Sequence, residues 1–139
     1  MDDTSASRAQ GEPDGHRRGD VEPEVTTALD GDVPTLTVAG ELTEGARRPL
    51  VRTMTDLLLD RPDLRQVRLD LRAVSYVNSA GMAVLVQLQK LGQPRGVDVV
   101  LVAPPSAVSR PLQLSGLWLR FPVEENPGVQ SGEERPRES

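Results

Sequence analysis

The residue of this chain best placed to take part in chemistry is a serine that opens a helix. The stretch from Val67 to Leu91, VRLDLRAVSYVNSAGMAVLVQLQKL, reads as a strand passing through Ser75, Tyr76, Val77 and Asn78 into a helix that begins at Ser79. A hydroxyl in a first helical turn is exposed and faces backbone N–H groups that the helix leaves without partners. Nucleophilic catalysis by that hydroxyl would need a base, and the single histidine, His16, lies far off in an N-terminal tail. The esterase pattern G-x-S-x-G, the dinucleotide pattern G-x-G-x-x-G and the P-loop are all missing from the sequence. There is no cysteine, which excludes disulfides, thiolate metal sites and a cysteine nucleophile, and fits a reducing compartment. No catalytic residue, cofactor or metal site is therefore expected. The chemistry open to Ser79 is to be modified: a phosphate there would add a charge of about −1.5 to −2, which a helix N-terminus tolerates.

The elements that must position Ser79 can be read from periodicity. Val33 to Glu41, VPTLTVAGE, alternates Leu36 and Val38 against Thr35 and Thr37, the period of a half-buried strand, and Val25 to Leu29 can pair with it as a hairpin across Asp30 and Gly31. Leu50, Met54, Leu57 and Leu58 recur at helical spacing, with Pro49 in the first turn and Pro62 as the stop. Gln66 to Val74 alternates Val67, Leu69 and Leu71 against Arg68, Asp70 and Arg72, a second strand. The helix Ser79 to Leu91 follows and should end at Gly92. Val97 to Ala103 is a buried strand. Ser106 to Ser115 can form a third helix capped by Gly116, with Pro111 in its first turn or kinking it, and Leu119 to Val123 could add an edge strand. This order predicts one small α/β domain with a sheet of about four to five strands and helices packed mainly on one face.

Charge and composition bound the ends and the partners. The 139 residues contain one Trp, one Tyr and one Phe, so Leu, Val and Ala must build the core. Segments 1–24 and 124–139 are rich in Gly, Pro and charge, carry nets of −4 and −3, and read as disordered acidic tails around a domain at 25–123 whose net is +2. A nearly neutral domain between acidic tails lacks the basic stripe that nucleic-acid binding needs. No secretory signal or membrane-length apolar run is present, so a cytoplasmic protein without membrane insertion is expected, monomeric or weakly dimeric.

Several motifs in fixed order resemble the STAS domain of bacterial anti-sigma factor antagonists. Asp70 and Leu71 match the D-L that ends a strand of that family, and Asn78, Ser79, Ala80, Gly81 and Met82 match its D-S-S/A-G-L helix start. Gly40, Glu41 and Leu42, together with Leu114, Ser115, Gly116 and Leu117, extend the likeness over Val25 to Val123. The resemblance implies partner switching. The unmodified antagonist binds an anti-sigma factor that is a serine protein kinase, which releases a sigma factor, and phosphorylation of the serine matching Ser79 ends the binding. This chain carries Asn78 and Thr43 where the family has carboxylates, which removes groups able to orient a hydroxyl or assist a kinase-bound metal ion.

The expected partner-binding residues are Tyr76, Asn78, Ser79, Ala80, Gly81, Met82 and Val86. At about 100° per residue, Val84, Leu85, Leu88 and Leu91 form the buried side of the helix, whereas Met82, Val86 and Gln89 form a separate stripe beside Ser79. Three of them have a structural reading as well: Ser79 as an ordinary helix-start residue, Gly81 as a close-packing residue, Tyr76 as a cover over the core. The competing function is a STAS module that binds constitutively, without phosphorylation, as a subunit of a lipid-transport or signalling complex.

Overall fold

The computed structural model describes residues 21–125. Within them lie a five-stranded sheet in the order β1-β2-β3-β4-β5 and three α-helices. The strands are β1 (Glu24–Asp30), β2 (Val33–Leu42), β3 (Gln66–Val77), β4 (Asp98–Val102) and β5 (Val123–Glu124), and the helices are α1 (Arg47–Asp60), α2 (Ser79–Gly92) and α3 (Ser106–Ser115). β1 and β2 are antiparallel and every later pair is parallel. Each parallel connection steps in the same direction across the sheet, so three right-handed crossovers put α1, α2 and α3 on one face. Their buried side chains, Leu50, Met54 and Leu58, Val84, Leu85 and Leu88, and Val108 and Leu112, join Leu36, Val38, Leu69 and Leu101 of the strands in one core.

The expected elements are present, with shifts that have physical causes. Asp30 pairs with Val33, so the hairpin turns on Gly31 and Asp32, and Gly31 takes the positive φ of 66° at the first turn position. β3 runs on to Val77, placing Ser75, Tyr76 and Val77 in the strand and leaving Asn78 alone as the connection to α2. α2 ends at Gly92 as expected, but the chain does not turn away there: Gly92 is buried, a 3₁₀ turn over Gln93–Arg95 follows directly, and Gly96, at φ 71°, is the left-handed residue that closes the run. Pro111 is neither in the first turn nor outside the helix but at the sixth position of α3. Leu117–Arg120 is a 3₁₀ turn where an edge strand was expected, and the strand begins only at Val123. The sheet also takes in one residue from each expected tail, and Pro23 before the first of them is buried: Glu24 pairs with Ala39, and Glu124 lies in β5 with its carboxylate on Arg68 at 2.6 Å. Residues 1–20, His16 among them, and 126–139 lie outside the described residues.

Asp70 shows why β3 departs from simple alternation. It belongs to the polar set with Arg68 and Arg72, yet it is buried. The β2–β3 register slips between Thr37 opposite Asp70 and Ala39 opposite Ala73, and at that bulge the Asp70 carboxylate accepts the Arg72 backbone N–H at 3.1 Å and its guanidinium at 2.8 and 3.2 Å. The hydrogen bonds from Arg72 hold the Asp70 carboxyl below the ordinary carboxylate range against the opposing effect of burial. A carboxylate whose pKa is lowered by folding stabilises the fold fully above its unfolded value, about 3.9, and loses that contribution as pH falls through the lower folded value. Asp70→Asn should therefore cost about 1 to 3 kcal/mol at neutral pH. The gap from the parent should close as unfolding is followed by circular dichroism from pH 7 toward pH 2. A gap independent of pH would assign the cost to packing.

Candidate functional site

The site is built where β2 and β3 end side by side. Leu42 pairs with Val77, so Thr43 and Asn78 leave the sheet as neighbours, and the Asn78 N–H donates to the Leu42 carbonyl at 3.2 Å. Each then starts an element. Thr43 is fully buried and its hydroxyl accepts the Gly45 N–H at 3.3 Å, opening a 3₁₀ turn over Glu44–Ala46 that leads into α1. The Asn78 side chain accepts the Gly81 N–H at 2.9 Å and caps α2. The two residues that stand where the family has carboxylates are thus both used as helix caps, a role that needs an acceptor oxygen and no charge.

Gly81 decides how closely α2 can sit on the sheet. A Cβ at this position would lie 1.9 Å from the Leu42 carbonyl oxygen and 2.4 Å from its carbon, so only glycine allows the first turn of α2 to rest on the end of β2. This contact aims the helix, and with it Ser79, which is exposed at the first helical position.

Beyond Ser79 one face of α2 borders a groove of about 580 Å³. Ser79, Ala83 and Gln87 lie along it at four-residue spacing, as do Met82, Val86 and Lys90, and Leu117 of the 3₁₀ turn forms the facing wall. Two contacts hold that wall beside the helix: the Ser115 hydroxyl lies 3.8 Å from the Met82 sulfur, and Gln89 donates to the Arg120 carbonyl while accepting from its guanidinium. Met82 and Val86 are half-buried and also touch the edge of the core.

Of the expected partner-binding residues, Ser79, Met82 and Val86 border this groove. Asn78 is committed to its cap, Ala80 is half-buried, Gly81 is buried under the helix, and Tyr76 is a β3 residue paired with Glu41 that does not border the groove. Gln89 leaves the expected exposed stripe, because it is buried and bonded to Arg120. Ala83, Gln87 and Lys90 were not singled out, although counting by fours from Ser79 and Met82 reaches all three. Leu117 carried no such signal, since it arrives from another element.

An exposed serine thus opens a helix beside an apolar groove on a one-sided α/β sheet. A family model described as "Mlab, STAS domain" matches residues 25–118, and the chain belongs to the STAS domain family. A search of the curated proteins finds no match. Among solved structures, an anti-sigma factor antagonist from Mycobacterium paratuberculosis is similar at 26% identity and TM-score 0.61, covering 76% of this chain and 88% of that one. A protein from Thermotoga maritima described as a possible antagonist of the same kind matches at 22% identity and TM-score 0.66, over 75% and 88% of the two chains. The antagonist SpoIIAA in its unphosphorylated form matches at 16% and 0.59, over 76% and 91%. The last two show the fold alone. Among the described residues no helix is long and apolar enough to cross a membrane.

Proposed function

We propose that this protein is an anti-sigma factor antagonist, a binding protein and not an enzyme. Its α2 face engages an anti-sigma factor of the serine-kinase type, the sigma factor is freed, and phosphorylation of Ser79 ends the binding. The observation that carries this reading is the place of Ser79: exposed, first in α2, and at one end of the groove bordered by Met82 and Val86. The likeness to the Mycobacterium paratuberculosis antagonist supports it. A phosphate there would meet a helix N-terminus, which stabilises negative charge, so the switch acts at the contact surface and leaves the fold alone.

Ser79→Asp tests the switch. Its thermal midpoint should match the parent or exceed it slightly, because the new charge is favourable to the helix by about 0.3 to 1 kcal/mol. Its affinity for a purified anti-sigma kinase of the host should fall about tenfold or more relative to Ser79→Ala. Mass spectrometry of the protein incubated with that kinase and ATP should place the added phosphate on Ser79. Equal binding by the two variants, or an unmodified Ser79, would remove the switch. That outcome would favour the second reading, a constitutive subunit of a lipid-transport or signalling complex, which the uncharged caps Thr43 and Asn78 support.

A further inference from the structure

The groove beside Ser79 has a charge pattern that bears on what fills it. α2, α3 and the 3₁₀ turn Leu117–Arg120 contain no acidic residue. Between Ser79 and Phe121 the one acid is Asp98, at the start of β4 and so at the opposite end of the sheet from Ser79, against the bases Lys90, Arg95, Arg110 and Arg120. Lys90 borders the groove, and Arg120 is tied beside it through Gln89. The corner where α3 meets the 3₁₀ turn also leaves two leucines in water: Leu114 is 85% exposed and Leu119 90%. Arg110 precedes Leu114 by one helical turn. Single exposed leucines are ordinary, but here two lie three residues before and two residues after Leu117, which borders the groove with Met82 and Val86.

We propose that this groove receives an acidic amphipathic helix of the partner protein. The inference rests on the partner-binding reading of the α2 face and adds the chemistry of the occupant. From Ser79 to Lys90 the face runs about 16 Å, the length of three helical turns, which suits a helix packed alongside α2. Leucine-like side chains of the occupant meet Met82, Val86 and Leu117, while its carboxylates meet Lys90 and Arg120, the charged side chains that α2 and the 3₁₀ turn Leu117–Arg120 bring to this face. The sign of the occupant also sets what the switch does. A phosphate of about −1.5 to −2 on Ser79 repels an acidic helix and would attract a basic one, so an acidic occupant adds charge repulsion to the desolvation cost by which a phosphate disrupts an apolar contact.

The test titrates the full chain with two synthetic helical peptides of about 15 residues that share one leucine face and carry either all Glu or all Lys on the other. Calorimetry gives affinity, and methyl NMR locates the contact. The Glu peptide should bind about tenfold tighter at low salt, the preference should shrink as salt is added, and shifts should centre on Met82, Val86 and Leu117. Lys90→Glu should reduce the preference, and Leu119→Ser should weaken the Glu peptide without moving the thermal midpoint. Equal or tighter binding of the Lys peptide, or shifts elsewhere, would overturn the proposal. So would sedimentation with phosphatidylglycerol vesicles by a chain that ignores the Glu peptide, an outcome that assigns the corner to lipid. No kinase enters this test, so its failure leaves the Ser79 switch standing, and failure of the switch leaves an acidic partner bound constitutively.

Discussion

Gly81→Ala should destabilise the domain by about 3 kcal/mol or more and lower its thermal midpoint by about 15 °C, despite replacing glycine with the best helix former. Helix propensity alone would stabilise this change by up to about 1 kcal/mol. The steric term is larger because the atom in the way is backbone: the new Cβ would stand 1.9 Å from the Leu42 carbonyl oxygen, and no rotamer can relieve that. Either α2 lifts at its first turn or the end of β2 bends. Both displace the Asn78 cap and the Asn78 N–H bond to Leu42, and both move Ser79. Partner binding should therefore fall even where the variant still folds. A thermal melt of Gly81→Ala that matched the parent would show that the helix does not rest on β2 as described.

Phe121→Ala should cost about 3 to 5 kcal/mol, the usual range for removing a buried phenylalanine. Phe121 is the only phenylalanine of the chain and its side chain is buried in the core between the 3₁₀ turn and β5. Around it, the Leu101 N–H donates to Pro122 at 3.0 Å and the Ala103 N–H to Glu124 at 2.7 Å, so the short β5 hangs on the anchor that the ring provides. The same segment carries Arg120, bonded to Gln89 of α2, and Leu117, the wall of the groove. Losing the ring should free the segment after Gly116. Hydrogen exchange at Leu101 and Ala103 should then accelerate together with the fall in thermal midpoint. A midpoint within a few degrees of the parent would mean that the remaining contacts suffice to hold the edge of the sheet.

Much of this architecture was legible because it depends on local patterns. The alternation of Leu36 and Val38, the spacing of Leu50, Met54 and Leu58, and the run Val84, Leu85, Leu88 each report a buried face, and the structure buries each of them. α3 and its glycine cap fall where sequence places them, because a helix followed by a left-handed glycine is written in adjacent residues. The order of motifs around Asp70, Asn78, Ser79 and Gly81 was sufficient to indicate the STAS family. That a serine opens α2 follows from the chain alone, since a first-turn position is defined by its own neighbours.

What tertiary structure decided are relations between residues distant in sequence. Asp70 is polar by pattern and buried in fact, because a slip in pairing with β2 creates an N–H that its carboxylate must take. Gln89 lies on the stripe that a helical wheel separates from the buried side of α2, but the segment at Arg120 folds against it, and only the path of that segment could remove it from the surface. Leu117 becomes the wall of the groove by the same path, and Thr43 becomes the neighbour of Asn78 because Leu42 pairs with Val77. A helical wheel or a strand alternation places a side chain relative to its own axis. Which face another element then covers depends on packing across separations of about 30 residues, a contact that local periodicity does not encode.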